Sequence, residues 1–171
     1  MGTQVLKYIA KFFFLVLLQI LIFDQLRFSG YISPYIYIIF ILNLPLNFSK
    51  TANLLLAFAI GITIDIFSDS LGIHTAATVF MAFCRPSVIN LISTKKEFEE
   101  EAIPSIGYMG IRWIIPYTII LVFLHHTFLF FAEIFSLKEF WATISRAFIS
   151  SFFSFIIILI THYLFDKIAK K

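Results

Sequence analysis

The chain has 171 residues, room for one domain. Sixty per cent are apolar and 13% charged, Phe alone supplies 23 residues, and mean hydropathy is +0.95; soluble domains carry about a quarter of their residues charged. A water-soluble protein of this composition would expose enough apolar area to aggregate, so lipid is the solvent the composition calls for. The single cysteine, Cys84, excludes an internal disulfide framework and a clustered cysteine metal site. The net charge of +3 is no nucleic-acid signature, because the basic residues are few and stand at segment ends, where membrane topology requires them.

Apolar runs mark the spans in chain order. About 20 helical residues cross the hydrocarbon core, and helices are favoured because lipid leaves open backbone groups unsatisfied. The runs do not alternate, which argues against a β-barrel. The first span covers 5–23. Lys7 and Lys11 precede its apolar run and no small-residue cleavage site follows, so it reads as a retained helix. Gln19 is its one mid-to-late polar residue and is expected to face other helices. The second span is expected over 33–45, with Pro34 at the first helical position and an apolar part short enough to be thin, tilted or only partly embedded. The third covers 51–67 and the fourth 73–92. The polar segment Lys95, Lys96, Glu97, Phe98, Glu99, Glu100, Glu101 comes next, then Pro104 and Gly107 in a loop. The fifth covers 111–131, with Pro116 early enough to be tolerated, and the sixth 140–165. The expectation is an all-α polytopic membrane protein, one domain over 1–171 with about six transmembrane helices.

Lys and Arg bias sets the expected orientation. With both termini inside, the inner side receives Lys7, Lys11, Lys50, Arg85, Lys95, Lys96, Arg112, Lys167, Lys170 and Lys171, and the outer side Arg27, Lys138 and Arg146.

The densest polar stretch runs from Gly61 to Thr75 and joins the third and fourth spans. Ala57, Gly61 and Asp65 are four apart, on one helix face, and the two small residues permit close helix packing. A carboxylate in lipid is expensive and must face protein or water. Expected partners of Asp65 are Ser68, His74, Thr75 or a backbone N–H at the start of the fourth span, where a helix N-terminus favours negative charge. Three roles stay open for it: holding the turn, a ligand or ion site, and a partner contact. Asp69 reads as a loop or cap residue. His74, Thr78, Ala82 and Pro86 continue four apart along the fourth span. Arg85 reads as a topology and headgroup residue, or a partner contact behind that. Pro86 is expected to kink the helix and lay 87–92 along the interface.

Other polar residues carry weaker signals. His125 and His126 are adjacent, hence about 100° apart on a helix, and make no natural metal pair; interhelical hydrogen bonding is the plainer reading. Ala147 with Ser151, and Ser150 with Ser154, are small-residue pairs at helix-packing distance, within the chain or toward a partner. No serine–histidine–aspartate set has a nucleophile turn, and no glycine-rich phosphate loop is present. Neither a catalytic site nor a metal site is expected.

The stretch from Gly61 to Pro86 resembles the signature region of the rod shape-determining protein MreD family. The residues that carry the likeness are Gly61, Asp65 four residues later, and Leu71-Gly72 opening a small-residue helix with Ala76 and Ala77. Phe28-Ser-Gly-Tyr-Ile-Ser-Pro-Tyr35, His74 to Pro86 and Leu121-Val-Phe-Leu-His-His126 are similar to forms from the Bacteroidetes. The resemblance covers about 25 residues by motif and most of the chain by topology. It implies a non-catalytic scaffold of the cell-elongation machinery in the bacterial inner membrane, without a cofactor. Its implied partners are the bitopic MreC protein, the MreB filament, and wall synthases of the RodA and penicillin-binding types. Gly61, Asp65, Gly72, His74, Arg85 and Pro86 are then structural or partner-contact candidates, and Ala147, Ser150, Ser151 and Ser154 helix-packing candidates. The family also looks related in fold to the membrane substrate-binding subunits of energy-coupling-factor transporters. That relation leaves an alternative role, a substrate-binding membrane subunit of a vitamin or small-molecule transporter, with a pocket near the outer side at Asp65 and His74.

Overall fold

The computed structural model describes residues 2–25, 32–93, 102–136 and 138–169. Arg27, Gly30, the polar segment from Lys95 to Glu101, and Lys170 and Lys171, on which part of the expected charge bias rests, lie outside the described residues.

Helices α1 (Gly2–Leu18), α2 (Ile39–Leu42), α3 (Lys50–Ser68), α4 (Ile73–Ile92), α5 (Ile106–Met109), α6 (Ile111–Ile134) and α7 (Phe140–Ala169) follow in order. Gln19–Phe23 prolongs α1 as a π-helical turn. Five helical stretches are long and apolar enough to cross a membrane: Val5–Phe23, Lys50–Ser68, Ile73–Ile92, Ile111–Ile134 and Phe140–Tyr163. The protein is an all-α, multi-pass membrane bundle. Large side chains left open, such as Leu6, Phe14 and Leu21 on α1, Leu55 and Ile66 on α3, and Phe148 on α7, face where lipid would be. The packing order is α3 on α4, α4 on α6, α6 on α7, with α1 resting on α3 and α2.

The span expected over 33–45 is a correction. Its one helix is the four-residue α2, and the rest is extended or turned. Only ten residues separate Pro34 from Pro45. As a helix they would cover about 15 Å, half of the roughly 30 Å core. Extended backbone covers about twice as much per residue. The run is also rich in β-branched Ile, which lowers helix propensity. The chain therefore threads the bundle as a buried, mostly non-helical segment. It passes Ser150 and Ser154 of α7 near Ser33 and Tyr35, then Arg85 of α4 at Leu44 and Pro45. Residues from Ile36 to Leu42 are each at most 2% exposed, which makes this segment the centre of the core.

Non-helical backbone at bilayer depth persists only where protein satisfies its polar groups. Gln19, 0% exposed, does so at one end: its Oε1 accepts from the backbone N–H of Ile36 (2.7 Å) and of Tyr37 (3.4 Å). Its Nε2 donates to the Pro34 carbonyl (3.2 Å) and to Asp24 Oδ1 (2.8 Å). Ser150 Oγ accepts from Ser33 N–H and Ser154 Oγ from Tyr35 N–H. At the other end Tyr117 Oη donates to the Leu42 carbonyl (2.9 Å), Arg85 Nη2 donates to Leu44 and Pro45, and Leu46 N–H reaches the Ala102 carbonyl (2.8 Å). In between, the turn bonds of α2 use the chain's own carbonyls.

Two sequence expectations about α4 change. The helix runs unbroken through Pro86 to Ile92, so 87–92 is part of the long helix rather than a separate interfacial piece. Proline lacks an N–H and leaves the carbonyl four residues earlier, that of Ala82, without its helical donor. Asn53 Nδ2 of α3 supplies one at 3.0 Å. Arg85, 2% exposed, is no headgroup residue. Its guanidinium donates to Tyr117 Oη (2.7 Å) and to the Leu44 and Pro45 carbonyls of the threaded segment.

Gln19→Leu should leave two peptide N–H groups of the segment without acceptors, at about 1–3 kcal/mol each. A marked fall in thermal stability in detergent is expected, while lipid-facing Leu21→Ala changes little; equal melting of the two variants would remove Gln19 from this role. Asn53→Leu should destabilise the parent chain and do so less in a Pro86→Ala background, where the Ala82 carbonyl regains a helical donor; a double-mutant cycle with no coupling would contradict the pairing.

Candidate functional site

The α3–α4 hairpin is built by residues the sequence singles out. At Gly61 a Cβ would stand 2.5 Å from Thr75 Cα and 3.0 Å from Thr75 N, so the two backbones meet where only glycine fits. Ala57, Gly61 and Asp65 share the buried face of α3. Asp69 closes α3 at φ 51° and Gly72 opens α4 at φ 84°, a left-handed conformation that glycine adopts freely. Gly72 has no side chain to cap α4. Asp65 caps it from the neighbouring helix instead: its Oδ1 accepts from His74 N–H (3.0 Å) and Ser70 Oγ (2.6 Å), and its Oδ2 from Thr75 N–H (2.8 Å) and Thr75 Oγ1 (2.5 Å). The carboxylate thus sits on the free N–H groups and positive dipole end of α4. Ser68, an expected partner, donates to Asp24 Oδ2 instead.

Below this cap lies a knot of buried polar and aromatic side chains. Tyr37 Oη of the threaded segment is 3.2 Å from His74 Nδ1, 3.1 Å from Thr78 Oγ1 and 2.8 Å from His125 Nε2. The Tyr35 ring packs against His74, His125, His126 and Phe130. His126 Nδ1 meets the Val122 carbonyl at 2.8 Å, which makes that nitrogen the donor. Its Nε2 then accepts from Ser154 Oγ (3.0 Å), whose oxygen accepts Tyr35 N–H. Ser150 and Ser154 are therefore more than small packing residues, since both hold the threaded segment. Ala147 is fully buried on the same helix, and Ser151, 7% exposed, has an Oγ without a hydrogen-bond partner. All four face the interior of this chain.

Above the knot opens a cavity of about 720 Å³. His74 and Tyr35 line it, together with Asp24 and Phe23 after α1, the α3–α4 turn from Phe67 to Leu71, and Glu133 and Arg146. Glu133 and Arg146 pair at 2.9 Å, and the guanidinium lies 4.2 Å from the centre of the Phe130 ring. Asp65 is not in the lining; its oxygens are turned into the α4 terminus. The structure thus separates Asp65 from the cavity while bringing His74 into it, and leaves Arg85 and Pro86 toward the far end of α4. Among the described residues no three His, Cys, Asp or Glu side chains gather as a metal site would require.

Tyr35, Tyr37, Asn53 and Asp24 carry as much of this arrangement as the predicted residues. Asn53 had a signal available, a carboxamide within an apolar helix on the face of Ala57. Tyr37 had none, because nothing in an apolar run of mostly Ile and Leu distinguishes one tyrosine hydroxyl as a hub.

No family model matches the chain, and no curated protein or solved structure matches it either.

Asp65→Ala should strip the cap from α4 and leave His74 and Thr75 N–H buried without acceptors, a loss of about 2–4 kcal/mol. Asp65→Asn keeps an acceptor oxygen and should recover part of it. Melting temperatures in the order parent, Asn, Ala are expected; an Ala variant as stable as the parent would show that water replaces the carboxylate.

Proposed function

We propose that this protein is a non-catalytic scaffold of the cell-elongation complex in a bacterial inner membrane, with both termini in the cytoplasm. In that role it would join an MreC-like bitopic protein to the MreB filament and to wall synthases of the RodA and penicillin-binding types. The resemblance of Gly61, Asp65, Leu71 and Gly72 to the MreD signature motivates the reading. The observation that supports it best is the saturation of Asp65: both carboxylate oxygens take two donors each from the hairpin, so the signature residues act as architecture. A rigid helix pair is what a scaffold needs in order to present a fixed face to a partner's helix. Arg85, with its guanidinium on backbone carbonyls, belongs to the same kind of internal bracing.

The test is recovery of the complex. The full chain and an MreC-like partner, co-expressed and extracted in mild detergent, should co-purify, and cells relying on Gly61→Leu should lose both the complex and their normal width. Lipid-facing Phe58→Ala should retain both. Absence of co-purification with both proteins intact would sink the reading.

A second reading, a substrate-binding membrane subunit, is favoured by one observation: the cavity of about 720 Å³ beside His74, a size usual for small-molecule pockets.

A further inference from the structure

One arrangement of hydrogens satisfies every contact around Tyr37, and it sets what the cavity floor offers. Thr78 Oγ1 donates its one proton to the His74 carbonyl (2.7 Å), so toward Tyr37 it accepts. Tyr37 has one proton, and its three contacts are all satisfied when that proton goes to Thr78 and both His74 Nδ1 and His125 Nε2 donate to the phenol oxygen. In a neutral His74 the other nitrogen, Nε2, is then a bare acceptor. His74 is 7% exposed and lines the cavity, and Nε2 has no hydrogen-bond partner among the described residues.

The walls point the same way. Among the described residues Asp24 takes neutral donors only, one on each oxygen, and each oxygen keeps a lone pair that no described residue takes. Asp69, at the mouth, has no ion pair among the described residues. Arg146, the one Arg or Lys among the described lining residues, is matched by Glu133, and no described residue forms an ion pair with Asp24 or Asp69. Tyr35, Phe23 and Phe67 supply apolar and aromatic wall between these acceptors.

We propose that the cavity binds a small organic cation, a primary ammonium or guanidinium on an aromatic or aliphatic body. The cationic N–H groups would be donated to Asp24, Asp69 and His74 Nε2, with the body against Tyr35, Phe23 and Phe67. The proposal rests on the second reading, that the cavity is a ligand site, and adds the ligand's charge and hydrogen-bonding sense. A site made of acceptors selects donors and repels anions, because a carboxylate ligand would face the like charges of Asp24 and Asp69.

Calorimetric titration of the purified full chain in nanodiscs with tryptamine, N-acetyltryptamine and indole-3-acetate tests this, because the three share one ring and differ in charge. Tryptamine should bind saturably and at least tenfold more tightly than its neutral acetylated form, and indole-3-acetate should not bind. Asp69→Asn and Asp24→Asn should each weaken tryptamine about tenfold and leave N-acetyltryptamine unchanged, with Asp69→Asn melting like the parent. Tryptamine binding that survives both substitutions overturns the proposal. Equal or tighter binding of the neutral or anionic probe, lost on Tyr35→Ala, overturns the cation assignment while keeping the ligand site. No saturable binding by any of the three to a chain that melts normally overturns both.

Discussion

A peptide group buried at bilayer depth has no water to fall back on, and the threaded segment between Pro34 and Pro45 places a run of such groups in the middle of this bundle. Helices avoid the problem by bonding within themselves. This segment is too short to cross as a helix, so its neighbours must answer for its backbone. Gln19 of α1, Ser150 and Ser154 of α7, Tyr117 of α6 and Arg85 of α4 all do so. The polar residues scattered over four long helices thus have one shared reason for their positions. The π-helical turn at Gln19–Phe23 belongs to the same arrangement, since it starts at the side chain that serves both Ile36 and Tyr37.

The α3–α4 hairpin follows a second rule, that the end of each helix must be satisfied from somewhere. The residue at the N-cap of α4 is glycine, which the tight left-handed turn requires and which has no side-chain oxygen. Asp65 supplies the missing acceptors from across the helix interface, and Gly61 one turn away lets the two backbones come close enough for it to reach. Asn53 does the corresponding service for the carbonyl that Pro86 orphans. Turn geometry, helix spacing and capping are therefore one device, and a change in any of the three residues is felt by the other two.

His74 joins these two systems. Its backbone N–H is part of the Asp65 cap, its Nδ1 belongs to the Tyr37 knot, and its ring lines the cavity. The hairpin that carries the scaffold reading is thereby mechanically continuous with the floor of the cavity that carries the ligand reading.

The sequence by itself determined the class of molecule. Composition demanded lipid, and uninterrupted apolar runs gave helices α1, α3, α4, α6 and α7, because helical spans are the local answer to backbone desolvation and local answers are visible locally. The hairpin was also legible: Ala57, Gly61 and Asp65 share a face by their spacing alone, and a carboxylate beside a following helix start points to its own partners. Tertiary structure decided the rest. The segment over 33–45 looks like a short span in sequence, and its non-helical path is permitted by side chains of other elements, Gln19, Arg85 and Tyr117 and, more than a hundred residues away, Ser150 and Ser154. Arg85 reads as an interfacial charge until Leu44 and Pro45 are seen to present carbonyls to it. The cavity is likewise assembled from five separate stretches of chain. A hydrogen bond between distant residues leaves no periodicity in either, so the polar interior of this bundle could be recognised only once the chain was folded.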